Sequence, residues 1–283
     1  MHPPNGRKWR IFTMGDAIKD FYDELSSVYR RSPDEVEGFL RAKLEEIEKS
    51  GKSGFQPLKL MACNELGSYL RGSGRFEESI EVFLETEELV RTYVGTNTVE
   101  YANVLNNMAG SYRLSGQLDK AYETFEKSAA VYENGVGTKN PYYCSLLNNL
   151  ALVDQNMGRY DKAESLLLRA LSIAESLKDC DKEEAITLGN LGALYLELKN
   201  YVFAGNYISA CIRKYNSMHG GKVHLAAAYN TQGRLMFETG EYQKAKEAWL
   251  RSKELTKRYF GENHEYRILE KNLETVEKKL ADQ

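Results

Sequence analysis

The sequence predicts an all-α array of stacked helix pairs, and three observations carry that prediction. A four-residue set recurs five times at nearly constant spacing. It reads Gly67, Gly74, Phe76, Ser79; then Ala109, Gly116, Leu118, Ala121; then Ala151, Gly158, Tyr160, Ala163; then Gly192, Lys199, Tyr201, Ala204; then Gly233, Gly240, Tyr242, Ala245. The first members lie 42, 42, 41 and 41 residues apart, the signature of a stacked repeat. Inside each copy the apolar residues fall at helical spacing, as Val104, Leu105, Met108 and Tyr112 do, followed after a glycine by Leu118, Ala121, Tyr122 and Phe125. Only five prolines interrupt a chain in which Ala, Leu, Glu and Lys recur, a balance that favours helices.

The elements follow in chain order. Residues 1–13 precede the first helical pattern and are expected to be an extension or a disordered tail. Residues 14–52 predict a capping helical hairpin. Its first stripe is Ile18, Phe21, Tyr22, Leu25, Val28 and Tyr29, and its second is Val36, Phe39, Leu40, Leu44 and Ile47. Between the stripes, Ser32–Glu35 reads as an N-cap, a proline at the first helical position and a capping box. Glu48 to Pro57 is linker-like. Five repeats then occupy 57–94, 98–136, 140–178, 182–218 and 223–259.

In each repeat a glycine such as Gly116 ends the first helix, because glycine takes positive φ at little cost. The small residues Ala109 and Ala121 let the paired axes approach closely. One such hairpin cannot bury its own apolar faces, whereas stacked copies can. Residues 263–280 predict a C-terminal capping helix. Glu274 stands where the other units place Gly or Ala, so no second helix packs there and the array stops.

This pattern resembles the tetratricopeptide repeat family, in which a helix ending L-G/A-x-x-Y is followed by G-x-Y/F-x-x-A and a second helix. A period longer than the usual ~34 residues, the "LNN" openings and the linker "FGENHEY" (Phe260–Tyr266) resemble its kinesin-light-chain subtype. The resemblance covers about residues 57–280. Departures are Lys199 for the helix-ending glycine, Asp154 and Met236 for the expected tyrosine, and Gln232 for Leu or Met. It implies a superhelical solenoid whose first helices line a concave groove, a protein or peptide partner, and no catalysis.

A ladder of asparagines on those first helices is the main candidate site. Asn64, Asn106, Asn148 and Asn230 share one register, with Asn107, Asn149 and Asn190 beside them. Asparagine is a weak helix former, so its recurrence mid-helix needs a cause. Its amide offers donor and acceptor together and suits the backbone of an extended peptide. The other cause is bonding to the neighbouring repeat, which sets the stacking. Arg71 and Arg113 fall one turn later, with Gln155 in the third matching place; they are placed either to hold a carboxylate or to be solvated. Met61, Asn103, Ser145, Ile186 and Ala227 stand where chaperone-binding arrays of this family use basic residues, so a two-carboxylate clamp is not expected.

Other chemistry finds little support. A net charge of −3 supplies no basic field for nucleic acid. No apolar run reaches the roughly 18–20 residues of a membrane span. "SGKSG" (Ser50–Gly54) contains GKS but has Glu46 where a phosphate loop needs glycine, and it follows a helix. His219 and His224 have no third metal ligand placed by spacing. No enzyme activity and no cofactor is expected. Cys63, Cys144, Cys180 and Cys211 lie far apart and follow no secretory signal, so they read as reduced thiols of a cytoplasmic protein. Cys63 and Cys211 should be buried. Cys180, in a linker, should react fastest, and no pair is expected within disulfide reach. The function this predicts is a scaffold binding a peptide or partner segment in the groove; the alternative is a peptide-sensing regulator, similar to pheromone receptors, whose curvature changes with its ligand.

Overall fold

The computed structural model describes residues 14–32, 35–50, 56–218 and 222–282. Among them are thirteen α-helices and no strand. The expected tail 1–13, Pro33 and Asp34 of the expected cap, linker residues 51–55 and His219 lie outside the described residues.

The chain divides into two compact units, Met1–Val136 and Gly137–Gln283. Unit 1 holds α1 (Met14–Arg31), α2 (Val36–Ser50), α3 (Gln56–Gly72), α4 (Phe76–Tyr93), α5 (Val99–Leu114) and α6 (Leu118–Val131), closed by a π-helical turn at Tyr132–Val136. Unit 2 holds α7 (Pro141–Asn156), α8 (Tyr160–Ser176), α9 (Asp181–Glu197), α10 (Tyr201–Ser217), α11 (Lys222–Glu238), α12 (Tyr242–Phe260) and α13 (His264–Ala281).

Small residues set the approach of each helix pair. A Cβ built on Gly67 would lie 2.7 Å from the ring of Phe83, one on Gly192 would lie 2.6 Å from Ile208, and one on Gly233 would lie 2.5 Å from Trp249. Ala109 and Ala151, at the same register, are buried. The stack is thus ordered by one position per repeat whose side chain must be absent or minimal. Three first helices also start alike. Thr98, Asn140 and Asn263 are N-caps that accept from the backbone N–H of a tyrosine three residues on: Tyr101, Tyr143 and Tyr266. The cap fixes the helix start and places the tyrosine for packing.

Lys199 keeps the turn without its glycine. Its φ is +56°, against +73° to +81° for Gly74, Gly116, Gly158 and Gly240 at the equivalent places. Phe21, Leu25, Val36 and Leu40 of the N-terminal hairpin share a core with Leu66 and Leu70 of α3. In α13, Leu269, Leu273 and Val276 cover Trp249, while Glu274 faces outward.

The thiols correct one expectation. All four are free and buried. Cys180 is 2% exposed rather than presented on a linker, because it begins α9 and turns inward to a cluster with Cys144 and Ala174. Burial raises its pKa, and raises those of Cys63 to about 11 and of Cys144 and Cys211 to about 12. The packing of α7 beside α9 also brings together two cysteines that sequence spacing gave no reason to pair.

Candidate functional site

In unit 1 the candidate residues lie on α3 and α5, the adjacent first helices of two repeats. Asn107 donates from Nδ2 to Asn64 Oδ1 at 2.8 Å. This bridge occupies one half of each amide and leaves Asn64 Nδ2 and Asn107 Oδ1 for another partner. Arg71 reaches across the same interface. Its Nη1 donates to the backbone carbonyl of Asn107 at 2.8 Å, and its guanidinium lies 6.0 Å from the ring centroid of Phe83. Gly110 makes room for it, since a Cβ there would come within 3.0 Å of Nη1. Asn106 is partly buried and already engaged.

Arg113 lies one period beyond Arg71, and its buried Nε has no hydrogen-bond partner. No described carboxylate pairs with either arginine. Burial lowers the pKa of both, and the charge of Arg113 lowers that of Arg71 further. A guanidinium nevertheless stays protonated in a protein. Two like charges are therefore held partly out of water without a counter-ion, an arrangement that costs free energy.

Unit 2 uses its asparagines differently. Asn148 is 4% exposed. Its Nδ2 donates to the Cys144 carbonyl at 2.9 Å and to Thr187 Oγ1 at 2.8 Å, and its Oδ1 accepts from Asn190 Nδ2 at 2.8 Å. Both donors are committed within the stack of α7 on α9. For Asn148 the geometry is that of the stacking role, against the expectation of a groove contact. Asn149 is partly buried and engaged. Asn190 keeps Oδ1 for another donor. Asn230 accepts from Trp249 Nε1 at 3.1 Å and keeps Nδ2.

The bridge is one rule used twice: an asparagine of one repeat bonds the adjacent-series asparagine of the next, as Asn64 with Asn107 and Asn148 with Asn190. The sequence offered bonding to the neighbouring repeat as one cause of the ladder, without showing which amide meets which. Thr187 and Trp249 as partners were not visible, because nothing in their spacing links them to an amide. Among the described residues no group of three or more His, Cys, Asp or Glu is placed to hold a metal, and no helix is long and apolar enough to cross a membrane.

Comparison with known proteins agrees with this architecture. A tetratricopeptide repeat model matches residues 60–134 and 142–212, and a second matches 225–266. Among solved structures, the apo form of RapI is similar with a TM-score of 0.65 and 17% identity, over 94% of this chain and all 100% of that one. BtubC (BKLC) from P. vanneervenii gives 0.64 and 18%, over 81% of this chain and 93% of that one. NprR in complex with its cognate peptide NprX gives 0.61 and 16%, over 98% and 84%. No curated protein matches by sequence. The family models span more than half of the residues, and the chain belongs to the tetratricopeptide repeat family.

Proposed function

We propose that this protein, a tetratricopeptide-repeat interaction scaffold, binds an extended peptide segment of a partner protein and that Arg71 and Arg113 hold a carboxylate of that segment. One observation carries the reading: two partly buried guanidiniums, one repeat apart, face no counter-ion. A carboxylate is planar and accepts two parallel N–H bonds, which is what a guanidinium offers. The half-used amides of Asn64 and Asn107 lie at the same interface and suit a peptide N–H and C=O, whatever the side chains. Asn106 lies next to Asn107 on α5 of unit 1; within unit 2, Asn190 and Asn230 each keep half an amide, and Asn148 bonds Thr187 and Asn190. NprR, similar in fold over nearly the whole chain, was solved with a peptide bound, which supports a peptide as ligand.

The test is selection from a random heptapeptide display library on the immobilised full chain. Peptides carrying Asp, Glu or a free C-terminus should be enriched, and Arg71→Met with Arg113→Met should abolish the enrichment. Enrichment of peptides without a carboxylate, or enrichment indifferent to the double substitution, would reject the reading.

A further inference from the structure

Two slots flank α11 in unit 2. The first opens between α9 and α11, encloses about 200 Å³ and is floored by Ile208, Cys211 and Tyr215 of α10. The second opens between α11 and α13, encloses about 510 Å³ and is lined below by Ser252 and Thr256 of α12. They are the same place in successive repeats, because 41 residues carry Cys211 to Ser252 and Tyr215 to Thr256. His224, Ala227 and Thr231 border both, so the slots adjoin.

The first slot exists because the asparagine ladder skips a rung. Gly189 stands where the other repeats have Asn64, Asn106, Asn148 and Asn230. A Cβ there would already come within 3.2 Å of Cys211 Sγ. Ala185 and Ala193 keep the rest of that wall short, and no Asp, Glu, Lys or Arg lines it.

The second slot is lined by a hydroxyl that does not bond back to its own helix. Buried threonines in helices normally return their proton to the carbonyl one turn back, as Thr86, Thr124 and Thr187 do here. Thr256 is similarly buried as a residue, at 3% exposed, yet its hydroxyl does not return to the carbonyl one turn back, and it lines the slot. Asn230, beside it, has an unused Nδ2. Two donors thus converge on one space, and Glu265 at its border disfavours an anion.

We propose that the double slot binds one apolar residue of an extended peptide. The side chain fills the first slot, and the adjoining peptide carbonyl accepts from Thr256 Oγ1 and Asn230 Nδ2 in the second. The proposal rests on the peptide-binding reading above and adds to it a residue class and a place. The volume suits it, since a dry apolar cavity of roughly 150 Å³ holds a benzene ring. The neutral lining of the first slot suits an uncharged side chain, and the donors facing the second, which bond no other residue, suit an amide rather than a hydrocarbon alone.

The test uses the full chain with ¹³C-methyl alanine, titrated with N-acetyl-leucine N-methylamide and with its glycine counterpart. The leucine compound should shift the methyls of Ala185, Ala193 and Ala227 saturably and bind at least about tenfold tighter than the glycine compound, as burial of a leucine side chain requires. Ala193→Leu should plug the slot and remove the response. Thr256→Val breaks no bond of the free protein, so its melting temperature should hold while affinity for the leucine compound falls about 2–10-fold. Equal responses to the two compounds, no saturable response up to the solubility limit, or wild-type binding by both variants would overturn the proposal. Its failure is distinct from failure of the carboxylate reading, which is measured at Arg71 and Arg113 in unit 1.

Discussion

Four residues after the small helix-contact residue, unit 1 carries Arg71 and Arg113, whereas unit 2 carries Gln155, Leu196 and Phe237. In unit 1 the position leaves guanidinium charge without a counter-ion. In unit 2, Leu196 is 1% exposed in the core, and Phe237 packs on Trp249 with ring centroids 5.6 Å apart. The contact position itself hardly varies: Gly67, Ala109, Ala151, Gly192 and Gly233. The difference teaches where this repeat tolerates change. Packing geometry holds the small residues fixed, and neighbouring places on the same helix are free to take charge, amide or hydrocarbon. Binding chemistry is expected at the free places, and the two units should read different chemistry.

The largest effect expected from breaking this contrast is on binding. Replacing either arginine by methionine should weaken binding of a carboxylate-bearing peptide about 10–100-fold, the worth of a hydrogen bond to a charged group, with little loss of stability at Arg113, whose buried Nε is unpartnered, and a loss of about 1 kcal/mol at Arg71, which bonds the Asn107 carbonyl. Titration by fluorescence anisotropy, beside a melting curve, checks both halves.

Stability should respond to the stacking residues instead. Ala151→Leu overpacks a position 1% exposed and should cost roughly 1–3 kcal/mol. Asn148→Ala strips partners from Thr187 and Asn190 and should cost about 1–3 kcal/mol. Asn64→Ala should cost less in stability and more in peptide affinity. Chemical denaturation of the three variants separates them; equal losses for Asn64→Ala and Asn148→Ala would erase the distinction drawn between the units.

A smaller gain is expected at the turn of the fourth repeat. Lys199→Gly relieves a left-handed residue and should raise stability by up to about 1 kcal/mol, read as a higher denaturant midpoint. Smaller still is a pH effect at His224. Burial, then the charge of Lys182, lowers its pKa, so the folded state takes up the proton less readily than the unfolded chain. Its contribution is intact above the ordinary histidine range near 6.5 and is lost as pH falls from there through the lowered folded pKa. His224→Gln should flatten that part of the stability profile. Native-state thiol titration should label all four cysteines slowly, Cys180 included; rapid labelling of Cys180 would contradict its burial.

The fold was legible because stacking leaves a mark at a fixed period. Every close helix contact needs a small residue, and each such residue could be read off by counting. Lys199 was legible only as a departure; that it would hold the glycine conformation depended on the turn around it. The ladder was half legible. Its recurrence raised the choice between a neighbouring repeat and a ligand, but which of them an amide faces depends on partners such as Thr187 and Trp249, which come from other helices without a shared spacing. Cys180 was misplaced because it lies between helical patterns, and only packing against Cys144 and Ala174 turns it inward. The double slot could not be read at all, because only the folded stack puts α10 beneath the skipped rung at Gly189 and α12 beneath the adjoining slot.

The most direct measurement compares two degenerate peptide pools, Ac-XXXDXXX-NH2 and Ac-XXXNXXX-NH2 with X free of acidic residues, for retention by the full chain and by Arg71→Met/Arg113→Met. The charge reading predicts that the wild type retains the aspartate pool at least about tenfold more than the asparagine pool, that the preference falls as salt rises, and that the double variant retains the two pools equally. Equal retention by the wild type, or a preference that survives loss of both arginines, would contradict it.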